Sequence, residues 1–245
     1  MTPAMPDFRA INAHAHAGWL LGPHQGYGFV ARLSGVEVMA NEAHRVACDL
    51  PMVWRASGEA AWTLLASPVD SSAWPVSPAG VWLGTYIPLL LRVYPFAPGA
   101  MGASVVGAYV DVNSPMVSPP TADLGPGWHA WFDAQGQASA AMAAALEVLR
   151  GVHRARQETL ALGRALSQLQ LLQAIDWPGA EGSNHRVDLD ALKRLPPPYE
   201  EVFKRRGWLK TIFAQAQSLA HWGSTVRVLG APQHGAVSKP NQKNH

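Results

Sequence analysis

Aromatic residues crowd around one arginine in the first half of this sequence. Trp82, Tyr86 and Tyr94 all lie within ten positions of Arg92. Tryptophan, tyrosine and arginine concentrate binding energy, because the rings bury large areas and a guanidinium donates two parallel hydrogen bonds to a carboxylate. The pattern predicts a cleft in which Arg92 contacts a carboxylate and the rings form apolar walls. The alternative is a tryptophan-rich core in which Arg92 pairs with a carboxylate such as Asp111.

Glu42 completes the predicted binding set, and His44 lies two positions after it. A carboxylate can orient and charge-stabilise an imidazole. Positions two apart on a helix do not face each other, however, so capping and solvation explain these two residues more simply. The alternative function is an enzyme acting on a peptide or small metabolite, in which the fold brings Glu42, His44, Asp111 or Asp133 to a pocket near Arg92.

His14 and His16 are the candidate metal ligands, because two imidazoles two apart point to the same side of a strand. A metal barrel would need further ligands after successive strands, and the other histidines do not fall there. A polar N-terminal segment is therefore the preferred interpretation, and we predict no metal and no cofactor. Cys48 is the only cysteine, which excludes an internal disulfide, and we predict that it is a buried, inert thiol.

Common catalytic and nucleotide-binding motifs are absent from the sequence. It has no nucleophile elbow, no phosphate-cradling P-loop and no dinucleotide-binding glycine pattern that opens a helix. The chain has 245 residues, 48% hydrophobic and 15% charged, which suffices for a packed core and argues against a disordered protein. The sequence contains neither a known nucleic-acid-binding module nor basic residues interleaved with aromatic ones, so we predict no nucleic-acid binding.

Membrane and export signals are not evident either. The longest apolar run, residues 80–91, has 12 residues and contains Pro88, whereas a spanning helix needs about 20. The first 22 residues have no basic segment leading into an unbroken apolar stretch. We therefore predict no transmembrane segment and a cytoplasmic location.

Short apolar runs separated by turn residues predict strands in the first half of the chain. The predicted strands are 26–33, 52–56, 61–66, 81–91 and 103–112. Residues 41–49 are predicted as a short helix with Asn41 as its cap, and the proline-rich residues 114–127 as a loop.

Helical periodicity replaces the strand pattern in the second half. The predicted helices are 137–172, with Ser139 as a cap, 189–195, 198–206 and 208–222. Strands followed by helices predict an α+β architecture. We expect one domain over 1–228, β-rich over 20–113 and helical over 137–228, followed by a flexible basic tail over 229–245.

Several sequence blocks resemble one bacterial family. The blocks are Gly26-Tyr-Gly-Phe-Val-Ala31, Asn41-Glu-Ala-His-Arg45, Leu50-Pro-Met-Val-Trp54, Val81-Trp-Leu-Gly-Thr-Tyr-Ile-Pro88, Arg92-Val-Tyr-Pro-Phe96, Trp131-Phe-Asp-Ala-Gln-Gly136, Arg186-Val-Asp188 and Gly207-Trp-Leu209. In this order they resemble the SapC family, over about residues 27–228. Two positions depart from the family pattern: Val93 replaces a usual second basic residue, and Gln215 a usual histidine.

The SapC resemblance implies a protein associated with a surface layer, with export or with outer-membrane receptors in a Gram-negative bacterium. It supplies no established active site. Together with the aromatic cluster, it leads us to expect an accessory protein that binds a peptide or protein partner.

Overall fold

The computed structural model describes residues 6–56, 61–98, 107–120, 124–178, 182–221 and 227–228. The helices of this part of the chain are α1 (Ala43–Val46), α2 (Leu89–Arg92), α3 (Ala140–Gln168), α4 (Leu189–Lys193), α5 (Pro197–Arg205) and α6 (Trp208–Ala220), with 3-10 helices at Gly28–Arg32 and Ser71–Ala73. The strands are β1 (Phe8–Ala10), β2 (Leu20–Leu21), β3 (Val36–Glu37), β4 (Met52–Ala56), β5 (Trp62–Ala66), β6 (Phe96–Pro98), β7 (Ala108–Asp111), β8 (Val117–Ser118), β9 (His129–Ala130), β10 (Leu172–Asp176), β11 (Asn184–Val187) and β12 (Arg227–Val228). The predicted tail, 229–245, lies outside the described residues.

The strands form three sheets in which every pairing is antiparallel. The largest has the order β12-β10-β11-β4-β5-β3, and the two smaller ones have the orders β1-β7-β6 and β8-β2-β9. Antiparallel sheets with helices packed against them define an α+β protein, which confirms the predicted fold class.

Strand β4 lies at the centre of the largest sheet and of the core. Its alternating side chains enter two clusters, because successive residues of a strand point to opposite faces. Met52 and Trp54 belong to the main cluster, while Val53 packs with Ile175 and Trp177 in another. Met52, Val53 and Trp54 are fully buried, and removal of the Met52 and Val53 side chains from water contributes roughly 1.5–3 kcal/mol each.

Helix α6 fastens the central strand to β11. The amide of Gln215, fully buried, donates from Nε2 to the Met52 carbonyl at 3.0 Å and accepts at Oε1 from Val187 N at 3.2 Å. Ser218 Oγ accepts from Met52 N at 3.0 Å. Gln215, one of the two residues that depart from the family pattern, is therefore a hydrogen-bonded bridge between two strands.

Strands β10 and β11 were not predicted from the sequence, which indicated only helices over 137–228. They pair with each other, and β11 pairs with β4 through Asn184 opposite Arg55 and His185 opposite Trp54. Helical periodicity continues through Leu172, so it conceals the start of β10. The chain leaves the helix at Gln170, whose φ of 55° is left-handed.

Two segments predicted as strands adopt other structures. Residues 26–33 contain the 3-10 helix Gly28–Arg32, and residues 81–91 form a loop that leads into α2 after Pro88. Gly26 has a φ of 79°, and a Cβ there would lie 2.7 Å from the Gly80 carbonyl oxygen. The close approach of Gly26 to the Gly80 carbonyl therefore requires glycine, and neither segment continues as an extended strand at this point.

The remaining strand and helix predictions agree more closely with the structure. Strands β4 and β5 lie where predicted, and β7 falls within the predicted 103–112, of which 103–106 are outside the described residues. Helix α3 starts after Ser139, whose Oγ accepts from Met142 N as predicted. Helix α1 has Glu42, and not Asn41, at its N-cap position.

Candidate binding site

Two carboxylates at α1 hold the loop that carries the aromatic residues. Asp49 Oδ2 accepts hydrogen bonds from Thr85 N at 2.7 Å, Thr85 Oγ1 at 2.8 Å and Tyr86 N at 3.0 Å. Glu42 Oε2 accepts from Leu89 N at 2.8 Å, and its Oε1 accepts from Met39 N at 3.1 Å. The loop therefore bonds to side chains in place of a neighbouring strand, which explains why its apolar pattern does not produce one.

Tyr86 connects the buried Glu42 to the surface. Its hydroxyl donates to Glu42 Oε2 at 2.9 Å and accepts from Arg92 Nη2 at 3.1 Å. Glu42 is 1% exposed, Tyr86 is half-buried and Arg92 is exposed. Burial, and next the charge of Glu42, raise the pKa of Tyr86, while Arg92 and Arg45 oppose the rise. The phenol is thus protonated at neutral pH and able to donate to Glu42.

A second guanidinium lies over the same ring. Arg45 Cζ is 4.4 Å from the Tyr86 ring centroid, and Arg92 Cζ is 5.3 Å from it, both within cation–π range. Both arginines are exposed, and neither forms an ion pair with a carboxylate of the described residues. Sequence reasoning did not select Arg45. Its spacing of three from Glu42, which places both on one helix face, was the available signal.

Trp82 supports the loop from within. It is half-buried and packs edge-on against Tyr27, with ring centroids 5.7 Å apart. A Cβ on Gly84 would lie 2.8 Å from Trp82 Nε1 and 2.9 Å from Asp49 Oδ2, so only glycine fits between them. Trp82 Nε1 is a buried donor without a partner in the described part of the chain.

Tyr94 belongs to a different hydrogen-bonded group, deeper in the protein. Its hydroxyl donates to Asp111 Oδ2 at 2.6 Å and accepts from Arg32 Nη2 at 3.5 Å, and its ring stacks on Phe29 with centroids 3.9 Å apart. Asp111 is therefore bonded to Tyr94 and not to Arg92, so the alternative pairing considered from the sequence is wrong.

A cleft of about 300 Å³ opens beside Arg92. Its wall includes His24, Arg92, Tyr94, Phe96 and Met116. A neighbouring cleft of about 410 Å³ shares Tyr94 and Met116 with it. Burial lowers the pKa of His24, and its Nδ1 accepts from Gly26 N at 3.0 Å. Arg92 thus lies between the Tyr86 ring on one side and an apolar cleft on the other.

The other candidate residues from the sequence do not converge on this site. His16 is buried against Trp131, with ring centroids 5.4 Å apart, whereas His14 is exposed in the same turn. The two rings therefore do not share a strand face, and the described residues contain no cluster of three or more metal-ligating side chains. Asp133 accepts from the amides of its own turn, and Cys48 is exposed, so the prediction of a buried thiol was wrong.

The fold and this site define an α+β protein with an exposed arginine pair above a buried carboxylate. The family model described as SapC matches residues 11–224, and the chain therefore belongs to the SapC family. No curated protein and no solved structure that we compared matches the chain. Among the described residues, none of the helices combines the length and the apolar composition that a membrane crossing requires.

Proposed function

We propose that this SapC-family chain is a cytoplasmic accessory protein that binds a peptide or protein partner of a surface-layer, export or outer-membrane-receptor system. Arg92 provides the forked contact to a carboxylate of that partner. The observation that supports this proposal most is the link from the exposed Arg92 through the Tyr86 hydroxyl to the buried Glu42. Such a link orients the guanidinium before the partner arrives, which lowers the entropic cost of binding.

Each residue of the proposed site has a distinct role. Tyr86 orients Arg92, and Glu42 fixes the Tyr86 hydroxyl from below. Trp82 packs behind the loop, and Tyr94 forms the apolar wall of the cleft beside Arg92. A partner can contact Tyr86 and Arg92 directly, whereas Trp82 and Glu42 hold the loop and the Tyr86 hydroxyl in position.

The enzyme alternative called for a histidine and a carboxylate within hydrogen-bond reach in the pocket of Arg92. In the described residues, the histidine of this cleft, His24, accepts a backbone hydrogen bond at Nδ1. Asp111 bonds to Tyr94, and Glu42 bonds to Tyr86. These pairings favour the binding function, in which carboxylates position other groups and no proton is transferred.

Affinity capture with matched variants tests the proposed function. Tagged wild-type protein, Arg92→Ala and Arg164→Ala are incubated with extract of the cells that encode the protein, and bound molecules are quantified by mass spectrometry. Arg164 is an exposed arginine of α3 and serves as the control. We expect Arg92→Ala to reduce capture of the partner at least about tenfold, since a charge-assisted hydrogen bond is worth about 1.5–3 kcal/mol. Arg164→Ala should capture as wild type does.

The proposal would be rejected by equal capture with wild type and Arg92→Ala. Thermal unfolding of both variants must remain cooperative and within a few degrees of wild type. This control separates loss of the contact from loss of the fold, because Arg92 is exposed and its removal leaves Glu42 bonded to Leu89 N and Tyr86.

A further inference from the structure

The two guanidinium groups above Tyr86 form a paired cationic site. Their distances of 4.4 Å and 5.3 Å from one ring centroid place Arg45 and Arg92 within about 10 Å of each other. At His44, the residue before Arg45, burial and next the charges of Lys210 and Arg45 lower the pKa. An anion that approached Tyr86 would meet two exposed guanidinium groups at once.

The carboxylates of the same region are hydrogen-bonded to the loop and to the segment that precedes α1, and they are less exposed than the arginines. Glu42 accepts three hydrogen bonds, from Met39 N, Leu89 N and the Tyr86 hydroxyl. Asp49 Oδ2 accepts three from Thr85 and Tyr86. Glu42 is buried and Asp49 is half-buried, whereas both arginines are exposed, so the most exposed charges at this site are positive.

Two large apolar side chains are exposed on the same loop. Val81 is 59% exposed and Leu83 is 67% exposed. Leu83 precedes Gly84, which packs against the Asp49 side chain, so it lies beside the turn that ends α1. The loop that carries Tyr86 therefore also exposes apolar side chains, while the two arginines, which form no ion pair among the described residues, favour a partner with acidic side chains.

The undescribed segments of this chain do not have that composition. Residues 57–60, 121–123 and 179–181 each contain a single acidic residue, and 1–5, 99–106, 222–226 and 229–245 contain none. The basic residues Lys239 and Lys243 of the last segment would be repelled from an arginine pair. The occupant that complements this surface is therefore a different molecule.

We propose that the surface formed by Arg45, Arg92 and Tyr86 binds an extended peptide segment with acidic residues at two alternate positions. In an extended strand, alternate side chains lie on one side, roughly 7 Å apart, which falls within the upper limit of about 10 Å on the separation of the guanidinium groups. The inference rests on the proposed function of the Arg92 site, and it adds Arg45 as a specificity-determining residue.

Peptide selection tests this inference. Full-length protein is immobilised and a library of random dodecapeptides is selected on wild type, Arg45→Ala and Arg164→Ala. We expect wild type and Arg164→Ala to enrich peptides with Asp or Glu at two alternate positions, and Arg45→Ala to lose that enrichment. Binding of a synthetic Gly-Ser-flanked Glu-Leu-Glu peptide should weaken at least about fivefold in Arg45→Ala and again when salt rises from about 50 to 300 mM.

A Gln-Leu-Gln peptide tests the contribution of charge, and a Glu-Ser-Glu peptide tests whether the central residue points away from the surface. The first should bind wild type at least about tenfold more weakly than the Glu-Leu-Glu peptide does, whereas the second should bind as the Glu-Leu-Glu peptide does.

The inference is overturned if neutral or basic peptides are selected, if no peptide is selected, or if the Glu-Leu-Glu peptide binds Arg45→Ala as well as wild type. It is also overturned if vesicles of anionic lipid bind in an Arg45-dependent manner and the peptides do not, or if the protein self-associates through this face. Arg92-dependent capture from the extract would leave the proposed function standing in each of these cases. Arg92-independent capture would remove that function whatever peptides are selected.

Discussion

Two groups of arginine, tyrosine and carboxylate occur in this fold, and they differ at the arginine end. The outer trio is Arg92, Tyr86 and Glu42, and the inner trio is Arg32, Tyr94 and Asp111. In both, an arginine donates to a tyrosine hydroxyl that in turn donates to a buried carboxylate. In the outer trio the guanidinium is exposed, whereas in the inner trio Arg32 is half-buried.

The carboxylates themselves are nearly equivalent. Glu42 and Asp111 are 1% and 0% exposed, and each accepts backbone amide bonds in addition to the tyrosine hydroxyl. A buried carboxylate that holds a tyrosine is therefore no sign of a binding site by itself. The second arginine and the exposure of Arg92 are what distinguish the outer trio as a site. The hydrogen bonds of the inner trio, as distinct from the Tyr94 ring that lines the cleft, are its structural control.

Removal of the carboxylates should give the largest effects. We expect Asp111→Ala to destabilise the protein by about 3–4 kcal/mol, because it leaves Asp7 N, Asn113 N and the Tyr94 hydroxyl without their acceptor. Glu42→Ala should cost a similar amount and should also abolish peptide binding. Urea denaturation and peptide titration at a temperature where both variants are folded provide the measurements. Equal loss of binding in the two variants would show that the trios are not functionally distinct.

Removal of the hydroxyl groups should give intermediate effects. Tyr94→Phe loses a buried bond of 2.6 Å and should cost about 1.5–2 kcal/mol of stability, with little change in binding by the folded protein. Tyr86→Phe should cost about 1 kcal/mol, yet it should weaken peptide binding severalfold, because Arg92 loses the acceptor that orients it. A stability loss that is larger in Tyr86→Phe, or binding that is unchanged there, would contradict this division.

The pH dependence should give the smallest effect. Burial raises the pKa of both Tyr86 and Tyr94, and hydrogen bonding to Asp111 adds to the rise at Tyr94. Since the folded pKa lies above the unfolded value of about 10, this contribution to stability is present below pH 10 and is lost as pH rises through the folded pKa. Urea denaturation at about pH 9 and about pH 11 should show the loss, and it should be smaller in Tyr94→Phe.

Tyrosinate absorbance provides the comparison of the two trios. Arg92→Ala removes a charge that lowers the pKa of Tyr86, so the titration of Tyr86 should move to higher pH while that of Tyr94 stays in place. The Tyr86→Phe and Tyr94→Phe variants show which titration step belongs to each tyrosine, because each variant lacks one of them. A shift of Tyr94, or an unchanged Tyr86, would contradict the assignment of Arg92 to the outer trio.

The sequence predicted the elements that have strong local signals. Strands β4 and β5 have β-branched and aromatic residues between turns, and α3 has a capping serine and a long apolar stripe. The strand prediction for residues 81–91 was wrong. The apolar pattern there is that of a strand, but the backbone amides bond to Asp49 and Glu42. Hydrogen bonds between distant parts of the chain do not change the hydrophobic periodicity of the sequence, so that pattern cannot predict them. Strand β10 was missed because the preceding helical pattern continues into it.

The grouping of the candidate residues was predicted in part, while their role in binding stays a prediction. The sequence placed Tyr86, Arg92 and Glu42 in one set, and the structure joins them through hydrogen bonds. Tyr94 was placed in the same set, yet it lies in the inner trio, because cluster density in a sequence does not show which carboxylate each tyrosine meets. Arg45 was missed because it is distant in sequence from the aromatic segment, and only the packing of α1 against the loop brings it to Tyr86.

The pairing of β4 with β11 can form only after a delay during synthesis, because β11 follows β4 at a long distance along the chain. Arg55 and its partner Asn184 are 129 residues apart, so the ribosome completes β4 well before it makes the strand that covers that edge. At 5–20 residues per second, the interval is on the order of ten seconds. During this time the growing chain displays an apolar strand with unpaired amides and carbonyls, the kind of surface that attracts chaperones and other nascent chains.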